Sequence, residues 1–270
     1  MKILNGKELA DFIKERQAHQ VRMLNKAPKL LIIRDSDNPV IKKYVDLKKQ
    51  YGEDIGIEVE DFHAKNSAEI AQKIETANKD SEINGIILQL PILEKEKTDD
   101  LTALINSAKD VDGLSNSEKS YDSATATAIL WLLTGYDIDL KNKSIALVGR
   151  GKLVGAPLYR MFKNSNLNVK MFHRGDDLTE LKNYEVIITA TGVPGLITND
   201  MISAGTIIVD AGTASEKGIL KGDVANEVRD RKDLAAITPT TGGVGPLTIT
   251  CLFDHVIQSA TKNKPLKAKL

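Results

Sequence analysis

The chain has 270 residues, which is enough for one large domain or two domains of ordinary size. Its 37 basic residues balance its 37 acidic residues, so its composition does not support nucleic-acid binding through a charged surface. The single cysteine, Cys251, excludes an internal disulfide framework and is expected to be a small core residue in a reducing compartment. Charges spread along the N-terminus leave no signal-peptide core, and no apolar run is long enough to cross a membrane. These features predict a soluble, cytoplasmic protein.

The first half of the chain alternates apolar runs of strand length with amphipathic stretches of helix length. The predicted strands are residues 29–34, 57–62 and 85–90. A first helix is predicted from Asn38-Pro39 to Tyr51, since Asn can cap a helix and Pro suits its first turn. Two further helices are predicted from Asn66, which forms a capping pair with Glu69, toward residue 80 and over residues 99–108.

The second half of the chain repeats this alternation. Its predicted helices are residues 125–135, 153–163 and 248–262, and its predicted strands are residues 144–149, 169–172, 186–190 and 207–210. Repeated β-then-α units predict an α/β fold with mainly parallel sheets and helices on both faces. The polar stretch 115–123 is the predicted boundary between the two series, and the lysines of residues 262–269 predict a solvated tail.

A glycine-rich segment, Gly149-Arg150-Gly151-Lys152-Leu153-Val154-Gly155, connects a predicted strand to a predicted helix. Glycines in such a turn let the backbone approach a pyrophosphate, whose charge faces the free N–H groups of the helix N-terminus. The spacing is one residue longer than the common dinucleotide fingerprint, and an ordinary tight turn is the alternative interpretation. The placement between strand and helix, with another strand following, favours a nucleotide site.

The residues after the next predicted strand bear on the choice of cofactor. An NAD site normally has an acidic residue here to bind the ribose hydroxyls, whereas this chain has His173-Arg174. Arg174 and Arg150 would suit the additional 2′-phosphate of NADP. Asp176 and Asp177 lie just beyond, so NAD remains possible. The sequence therefore favours NADP, with an ordinary exposed charge as the alternative role for Arg174.

On the helix that begins at Pro39, Lys48 continues an apolar stripe that includes Tyr44 one turn earlier. A lysine in such a stripe either extends its amine to water or keeps it partly desolvated, with a pKa low enough for proton exchange. Tyr44 offers an aromatic face and a hydroxyl to a flat ligand. Short-chain dehydrogenases also have a Tyr-x-x-x-Lys pattern, but theirs follows the glycine loop and this one precedes it by about a hundred residues. That interpretation fails.

Two polar sites follow apolar segments later in the first half. Gln89 interrupts the apolar strand just before Pro91, at the end of the strand where ligands of parallel sheets gather. It is well placed to hold Lys48 or a substrate, and a structural hydrogen bond is the alternative. Lys109-Asp110-Val111-Asp112-Gly113 then places two acids beside a glycine, which is also typical of an ordinary turn.

Together these segments resemble the methylenetetrahydrofolate dehydrogenase/methenyltetrahydrofolate cyclohydrolase family, and the resemblance covers nearly the whole chain. The Lys-Asp-Val-Asp-Gly and Gly-Gly-Val-Gly-Pro segments are specific, and their order along the chain is more so. The matching segments are Tyr44-Val45-Asp46-Leu47-Lys48, Leu88-Gln89-Leu90-Pro91, Lys109-Asp110-Val111-Asp112-Gly113, Gly149-Arg150 with Val154-Gly155-Ala156-Pro157, Ala190-Thr191-Gly192-Val193-Pro194, and residues 238–248.

The resemblance implies two domains facing each other across a cleft: residues 1–120 with a C-terminal helix at 246–270 as the folate domain, and a Rossmann-type nucleotide domain at 121–245. It implies a homodimer formed by the nucleotide domains, and a role in one-carbon metabolism and purine biosynthesis. Lys48 would be the cyclohydrolase lysine, Gln89 its tuning partner and Tyr44 the residue that packs on the folate. Asp112, Gly245, Pro246 and Thr248 would complete the folate site. The implied cofactor residues are Gly149, Arg150, Gly151, Val154, Gly155, His173, Arg174, Thr191, Gly192 and Pro194.

The implied reactions are oxidation of methylenetetrahydrofolate by hydride transfer to NADP, then hydrolysis of the methenyl product to formyltetrahydrofolate. They need positioning and proton transfer, and the sequence has no metal-ligand cluster. This chain departs from the family at four places: Ile41, residues 124–127 in place of Pro-Cys-Thr-Pro, Gly151 in place of Ser, and residues 210–214 in place of Asp-x-Gly-Ile-Asn. A monofunctional cyclohydrolase, a non-catalytic folate-binding protein and a generic dehydrogenase are the alternatives. The last two leave Lys48, Gln89 and Asp112 without a purpose.

Overall fold

A computed structural model of the chain describes residues 1–115, 117, 120–212, 214–216 and 219–261. Its helices and strands alternate along most of the chain. In order they are β1 (Lys2–Ile3), α1 (Gly6–Arg22), β2 (Lys29–Arg34), α2 (Pro39–Ile55), β3 (Glu58–His63), α3 (Ser67–Lys79), β4 (Gly85–Leu88), α4 (Thr98–Ala103), α5 (Ala124–Gly135), β5 (Ile145–Val148), α6 (Gly155–Asn164), β6 (Val169–Phe172), β7 (Val186–Thr189), β8 (Ile207–Asp210), β9 (Ala214–Glu216), β10 (Ile219–Lys221), α7 (Asn226–Arg229), β11 (Ala236–Ile237) and α8 (Val244–Ala260).

The described residues form two compact units. One unit comprises Met1–Ala10 and Thr125–Thr248 and contains a sheet of six strands, so we call it the six-stranded unit. The other comprises Asp11–Ala124 together with the chain from Ile249 and contains a sheet of three strands, so we call it the three-stranded unit. The predicted α/β architecture of two units with parallel sheets is confirmed.

The sheet of the three-stranded unit has the order β3-β2-β4, and both strand pairs are parallel. Its central strand β2 is apolar and buried because helices cover the sheet. One face packs on a core whose members are all buried apolar side chains. They include Leu31, Ile33, Ile70, Ile74, Ile86, Leu88, Leu101 and Ile105.

Local sequence sets the ends of the helices in this unit. The Asn38 side chain accepts a hydrogen bond of 2.8 Å from the Val40 backbone N–H, and Pro39 occupies the first turn of α2. Gly56 ends the helix with a φ of 83°, a conformation that costs glycine little. The predicted capping residue Asn66 accepts from the Glu69 N–H of α3 at 3.0 Å. The predicted starts of both helices are therefore confirmed.

The sheet of the six-stranded unit has the order β1-β11-β8-β7-β5-β6, and every strand pair is parallel. Strand β6 lies on one side of β5 and β7 on the other, so the chain changes direction across the sheet at β5. The carboxyl end of such a strand is where doubly wound sheets bind ligands. The glycine-rich segment follows β5 directly, which places it at this point of the sheet.

Several elements differ from the sequence predictions. Strand β4 ends at Leu88 instead of residue 90, because Pro91 has no N–H for a ladder. Helix α4 ends at Ala103 instead of residue 108, because the Asn106 side chain accepts from the Ala108 N–H and favours a turn. Helix α8 begins at Val244, four residues before its predicted start. Its predicted end at 262, the lysine-containing tail and part of the 115–123 boundary lie outside the described residues.

Two further expectations concern single features of the chain. Cys251 is fully buried, which confirms it as a core residue, and burial raises the pKa of its thiol well above the ordinary value. Within the described part of the chain, no helix combines the length and apolar character needed to span a bilayer.

Candidate functional site

Lys48 lies on the buried face of α2, and 9% of the residue is exposed. Its Nζ donates a hydrogen bond of 2.7 Å to Oε1 of Gln89, the residue that follows β4. Burial lowers the pKa of the Lys48 amine because it penalises the ammonium form, while the negative charge of Asp112 opposes this shift. The predicted contact between Lys48 and Gln89 is confirmed, and the amine is desolvated rather than extended to water.

Gln89 is held by hydrogen bonds through its backbone N–H and through both polar atoms of its side-chain amide. Its backbone N–H donates to the Ile33 carbonyl at 2.8 Å, and its side-chain Nε2 donates to the Leu90 carbonyl at 3.1 Å. Since a carbonyl can only accept, the amide nitrogen must point to Leu90 and the amide oxygen to Lys48. Tyr44 is half-buried one helical turn before Lys48, so the two predicted residues share a face of α2.

Asp112 is the third titratable residue of this group. Burial raises the pKa of its carboxyl from 3.8 to about 6, while Lys48 lowers it and Asp110 raises it. Desolvation thus moves the acid and the amine toward their neutral forms, and their mutual attraction resists this. These opposed shifts bring the pKa values of the acid and the amine closer together than those of ordinary aspartate and lysine side chains, which is typical of functional acid–base groups.

Three residues of the segment 109–113 have structural roles beside this pair. The Lys109 amine donates to the Ala77 and Asp80 carbonyls at 2.8 and 2.6 Å, which satisfies the C-terminus of α3. Asp110 is fully buried and accepts from the backbone N–H groups of residues 114 and 115. Gly113 has a φ of 70°, and a Cβ there would lie 2.6 Å from the Tyr121 carbonyl oxygen. These contacts hold the backbone on either side of Asp112.

The coupling between Lys48 and Asp112 gives a testable pKa change. In Lys48→Met, we expect the pKa of Asp112 to rise further above about 6, because the variant removes the charge that lowers it. Carbon-13 NMR titration of the aspartate carboxyls measures this shift. Lys49→Met changes an exposed neighbour on the same helix and serves as the matched control. An unchanged Asp112 titration in Lys48→Met would contradict the coupling.

The glycine-rich segment in the six-stranded unit is shaped by close backbone contacts. Gly149 has a φ of 101°, and a Cβ there would lie 2.8 Å from the Ala190 carbonyl oxygen. A Cβ on Gly155 would lie 2.0 Å from the Gly149 carbonyl oxygen, so only glycine fits the first turn of α6. Gly151 is exposed, and its nearest neighbour would lie 4.0 Å from a Cβ. The turn lies between β5 and the N-terminus of α6, where the positive end of the helix dipole favours a dinucleotide pyrophosphate.

Val154 immediately precedes α6, and the remaining cofactor candidates follow strands adjacent to β5. His173 and Arg174 follow β6, whereas Thr191, Gly192 and Pro194 follow β7. A cavity of about 680 Å³ lies beside the glycine-rich segment, and among the described residues its lining contains basic side chains and no acid. The lining residues are Arg150, Ala156, Tyr159, Arg160, Val169, Lys170, Met171 and His173. Arg174 is exposed and does not line it, so Arg150 is the better supported of the two predicted arginines.

Asp223 belongs to this region, although no sequence pattern marked it as a site residue. It is 1% exposed, and its Oδ2 accepts from the Thr191 backbone N–H at 2.6 Å and the Thr189 hydroxyl at 2.7 Å. Its Oδ1 has no hydrogen-bond partner among the described residues and packs against the backbone of Gly212. The carboxylate thus shapes the loop after β7, where candidate residues lie. In the sequence, Asp223 is marked only by the preceding Gly222, and a Gly-Asp pair without hydrophobic periodicity does not indicate a site residue.

Asp210, at the end of β8, organises the same part of the sheet. It pairs with Arg229, and its carboxylate accepts from the backbone N–H groups of Gly212, Asp223 and Val224. Burial raises the pKa of Asp210, and these donors and Arg229 oppose the shift. Asp210 is therefore a structural centre of the segment in which this chain departs from the family pattern. Thr213 of that segment lies outside the described residues.

The last three predicted site residues lie at the start of α8. Gly245 and Pro246 occupy its first turn, and the Thr248 hydroxyl donates to the Val244 carbonyl at 3.3 Å. All three belong to the six-stranded unit, whereas Lys48, Gln89 and Asp112 belong to the three-stranded unit. Their predicted place in the folate site stays a prediction.

Comparison with known proteins gives matches over nearly the whole chain. Family models described as the catalytic domain and the NAD(P)-binding domain of tetrahydrofolate dehydrogenase/cyclohydrolase match residues 4–112 and 123–264. The Bifunctional protein FolD of Staphylococcus carnosus is 34% identical, over 98% of this chain and 99% of its own length. The crystal structure of Bifunctional Enzyme FolD-Methylenetetrahydrofolate Dehydrogenase/Cyclohydrolase from Campylobacter jejuni is 32% identical, with a TM-score of 0.91 over 97% of this chain and 99% of that chain. The bifunctional 5,10-methylenetetrahydrofolate dehydrogenase/cyclohydrolase from Thermoplasma acidophilum is 27% identical, with a TM-score of 0.87 over 97% and 98%.

Proposed function

Because the chain belongs to the tetrahydrofolate dehydrogenase/cyclohydrolase family, we propose that it oxidises methylenetetrahydrofolate and hydrolyses the methenyl product to formyltetrahydrofolate. One observation carries the hydrolytic half: the desolvated Lys48 amine, held by Gln89 and electrostatically coupled to Asp112. A protein that only binds folate has no need of a lysine with a lowered pKa.

The hydrolysis needs a base and then an acid at the methenyl carbon. Water attacks the cationic carbon and loses a first proton, and the resulting hydroxyl loses its second proton as the formyl C=O forms. A ring nitrogen gains one proton as its bond to the carbon breaks, so the net reaction releases one proton to solvent. Lys48 can accept the first proton, because burial lowers the pKa of its amine and so favours the neutral form. The resulting ammonium can protonate the leaving nitrogen. Gln89 fixes the position of Nζ, and Asp112 stabilises the charged form that appears during the reaction.

The residues of the six-stranded unit serve the oxidation. A bound nicotinamide nucleotide supplies the hydride acceptor for this reaction. Gly149 and Gly155 would let the backbone approach its pyrophosphate, and Arg150 and His173 would face its adenosine half from the basic cavity. Thr191, placed by its hydrogen bond to Asp223, would border the site after β7. The fit of this loop to a dinucleotide supports the oxidative activity.

A two-wavelength absorbance assay tests the proposal. Purified protein is given methylenetetrahydrofolate with NADP or NAD, and reduced nicotinamide and methenyl product are followed separately. Reduced nicotinamide without lasting methenyl product is the expected result. Absence of reduction with both nucleotides would refute the oxidative half, and methenyltetrahydrofolate added directly then tests the hydrolysis alone.

A monofunctional cyclohydrolase is the second candidate, and the departures near the cofactor site favour it. Gly151 is exposed and contributes no side chain, and the buried Thr127 hydroxyl has no hydrogen-bond partner among the described residues. Both positions carry other residue types in the family pattern. Isothermal titration with NADP distinguishes the candidates, since binding only at millimolar concentration would support the monofunctional enzyme.

We expect NADP to be preferred over NAD, and Arg150 to provide much of the preference. Arg150→Ser should raise KM for NADP about tenfold and leave KM for NAD nearly unchanged, because only NADP carries the 2′-phosphate that a guanidinium binds. Steady-state oxidation with both nucleotides measures the two KM values. Lys182→Ser removes an exposed charge of the same unit and should alter neither value. Equal changes for both nucleotides in Arg150→Ser would contradict this role.

The chain is further proposed to be a cytoplasmic homodimer that joins through its six-stranded units and supplies one-carbon units for purine biosynthesis. Strand β6 supports the dimer, because it is the edge of the six-stranded sheet and one side of its backbone has no partner strand in the described structure. Light scattering during size-exclusion chromatography tests it, and a mass equal to the 29.5 kDa chain would refute dimer formation.

A further inference from the structure

His255 connects α8 to the segment that carries Asp112. It is 3% exposed, and its Nδ1 lies 2.8 Å from the Val111 carbonyl oxygen. The ring stacks on Tyr121 with a centroid distance of 4.6 Å and an angle of 21°. Because a carbonyl oxygen can only accept, Nδ1 must carry a proton and donate to Val111. The contact therefore fixes both the tautomer and the orientation of the imidazole.

The surroundings of His255 keep its imidazole neutral. Burial lowers its pKa below 6.5, and the hydrogen bond to Val111 and the negative charges of Asp110, Asp122 and Asp254 oppose the shift. Burial is the largest of these influences, so the ring remains a neutral donor at neutral pH. A neutral donor at Nδ1 holds the Val111 carbonyl without placing a full positive charge in this buried site.

The Val111 carbonyl is the backbone group immediately before Asp112. The Val111 side chain is fully buried, and its methyl groups would lie 2.9 and 3.0 Å from a Cβ on Gly85, so the residue fits closely against β4. With the side chain held on that face and the carbonyl held by His255, little rotation is left for the Val111–Asp112 peptide. His255 and β4 therefore add contacts from outside the segment to those that already hold the backbone around Asp112.

We propose that His255 is a positioning residue for the hydrolytic reaction, because its hydrogen bond to Val111 holds Asp112 in its place beside Lys48. The kinetic effect of His255 that we infer rests on the proposed function. The positioning of Asp112 by His255 rests on the geometry alone. His255 itself reaches no reacting atom in this scheme, and it acts only through the peptide that carries Asp112.

Two substitutions at His255 separate its hydrogen bond from its bulk. His255→Leu removes the donor, whereas His255→Asn offers an amide N–H at a position similar to Nδ1. Ser259→Ala is the matched control, since Ser259 lies one turn later in α8 and hydrogen-bonds the Ala108 carbonyl at 3.1 Å and the Tyr121 side chain. Its loss removes other contacts of α8 with this region and leaves the His255–Val111 hydrogen bond in place. Circular dichroism and urea unfolding establish that each variant is folded at the assay temperature.

The kinetic readout is the hydrolysis of added methenyltetrahydrofolate. His255→Leu should raise KM about tenfold and change the pH profile of the rate, because Asp112 is displaced. His255→Asn should stay within about threefold of the parent protein, and Ser259→Ala should retain both KM and pH profile. Equal values for folded His255→Leu and parent protein would overturn the proposal, as would an equal loss in the leucine and asparagine variants.

A second readout does not depend on catalysis. Carbon-13 NMR titration should show the Asp112 pKa fall from about 6 toward 3.8 in His255→Leu, because a released segment exposes the carboxyl to water. The asparagine and Ser259→Ala variants should keep the parent value. If the parent protein hydrolyses no methenyltetrahydrofolate, the proposed function fails, while this titration still decides the positioning role.

Discussion

Replacement of Lys48 by methionine is expected to lower the rate of methenyltetrahydrofolate hydrolysis by about 10²- to 10⁴-fold, the range that a positioned acid–base group contributes. Methionine has a similar length and no charge, so it removes the proton-transferring amine and also the cost of burying it. The three-stranded unit should therefore stay folded. Oxidation of methylenetetrahydrofolate should continue, since the residues proposed for the nucleotide lie in the other unit.

The combined absorbance assay gives this variant a distinctive signature. Reduced nicotinamide should form as before, while the methenyl product persists because its hydrolysis is lost. Lys49→Met, an exposed neighbour, should behave like the parent protein. Lys48→Arg should resemble the methionine variant, since a guanidinium keeps its proton and cannot act as the base. Unchanged hydrolysis in Lys48→Met would remove the central support for the proposed mechanism.

The sequence predicted the parts of the site that depend on local pattern. Lys48 was recognisable because helical spacing placed a charge in an apolar stripe, and Gln89 because a polar residue ended an apolar strand. Their contact followed, because carboxyl ends of parallel strands gather ligand-binding groups at one edge of a sheet. The glycine-rich segment was also recognisable from local pattern, because its glycines fall between a predicted strand and a predicted helix.

The residues that fix these groups could not be found in this way. His255 and Val111 are 144 residues apart, and Asp223 lies 32 residues from Thr191, so no local spacing links either pair. The two-residue strands β1 and β11 are equally hidden, because a strand of that length has no periodicity and exists through its neighbours. Supporting contacts of this kind join residues that are distant in the sequence. Amino-acid composition and hydrophobic periodicity therefore contain no signal for them.

The glycine-rich segment gives the second large expected effect. Gly155→Ala should raise the Kd for NADP about hundredfold, because its Cβ would lie 2.0 Å from the Gly149 carbonyl oxygen and force the backbone of the turn to move. A turn displaced by about an ångström no longer presents its N–H groups to a pyrophosphate. Hydrolysis of added methenyltetrahydrofolate should be nearly unchanged, because Lys48, Gln89 and Asp112 belong to the other unit.

Gly151→Ala provides the matched control within the same turn. A Cβ at this position would find only the Ala190 carbonyl oxygen, at 4.0 Å, so the backbone has no reason to move and NADP binding should stay within about threefold. Isothermal titration of both variants, with urea unfolding to establish that they are folded, makes the comparison. An affinity for NADP close to that of the parent protein in both variants would show that the narrow approach at Gly155 does not shape the nucleotide site. Weak binding in both would instead indicate that the site tolerates no added atom along the turn, and the exposed position of Gly151 would then border the bound nucleotide.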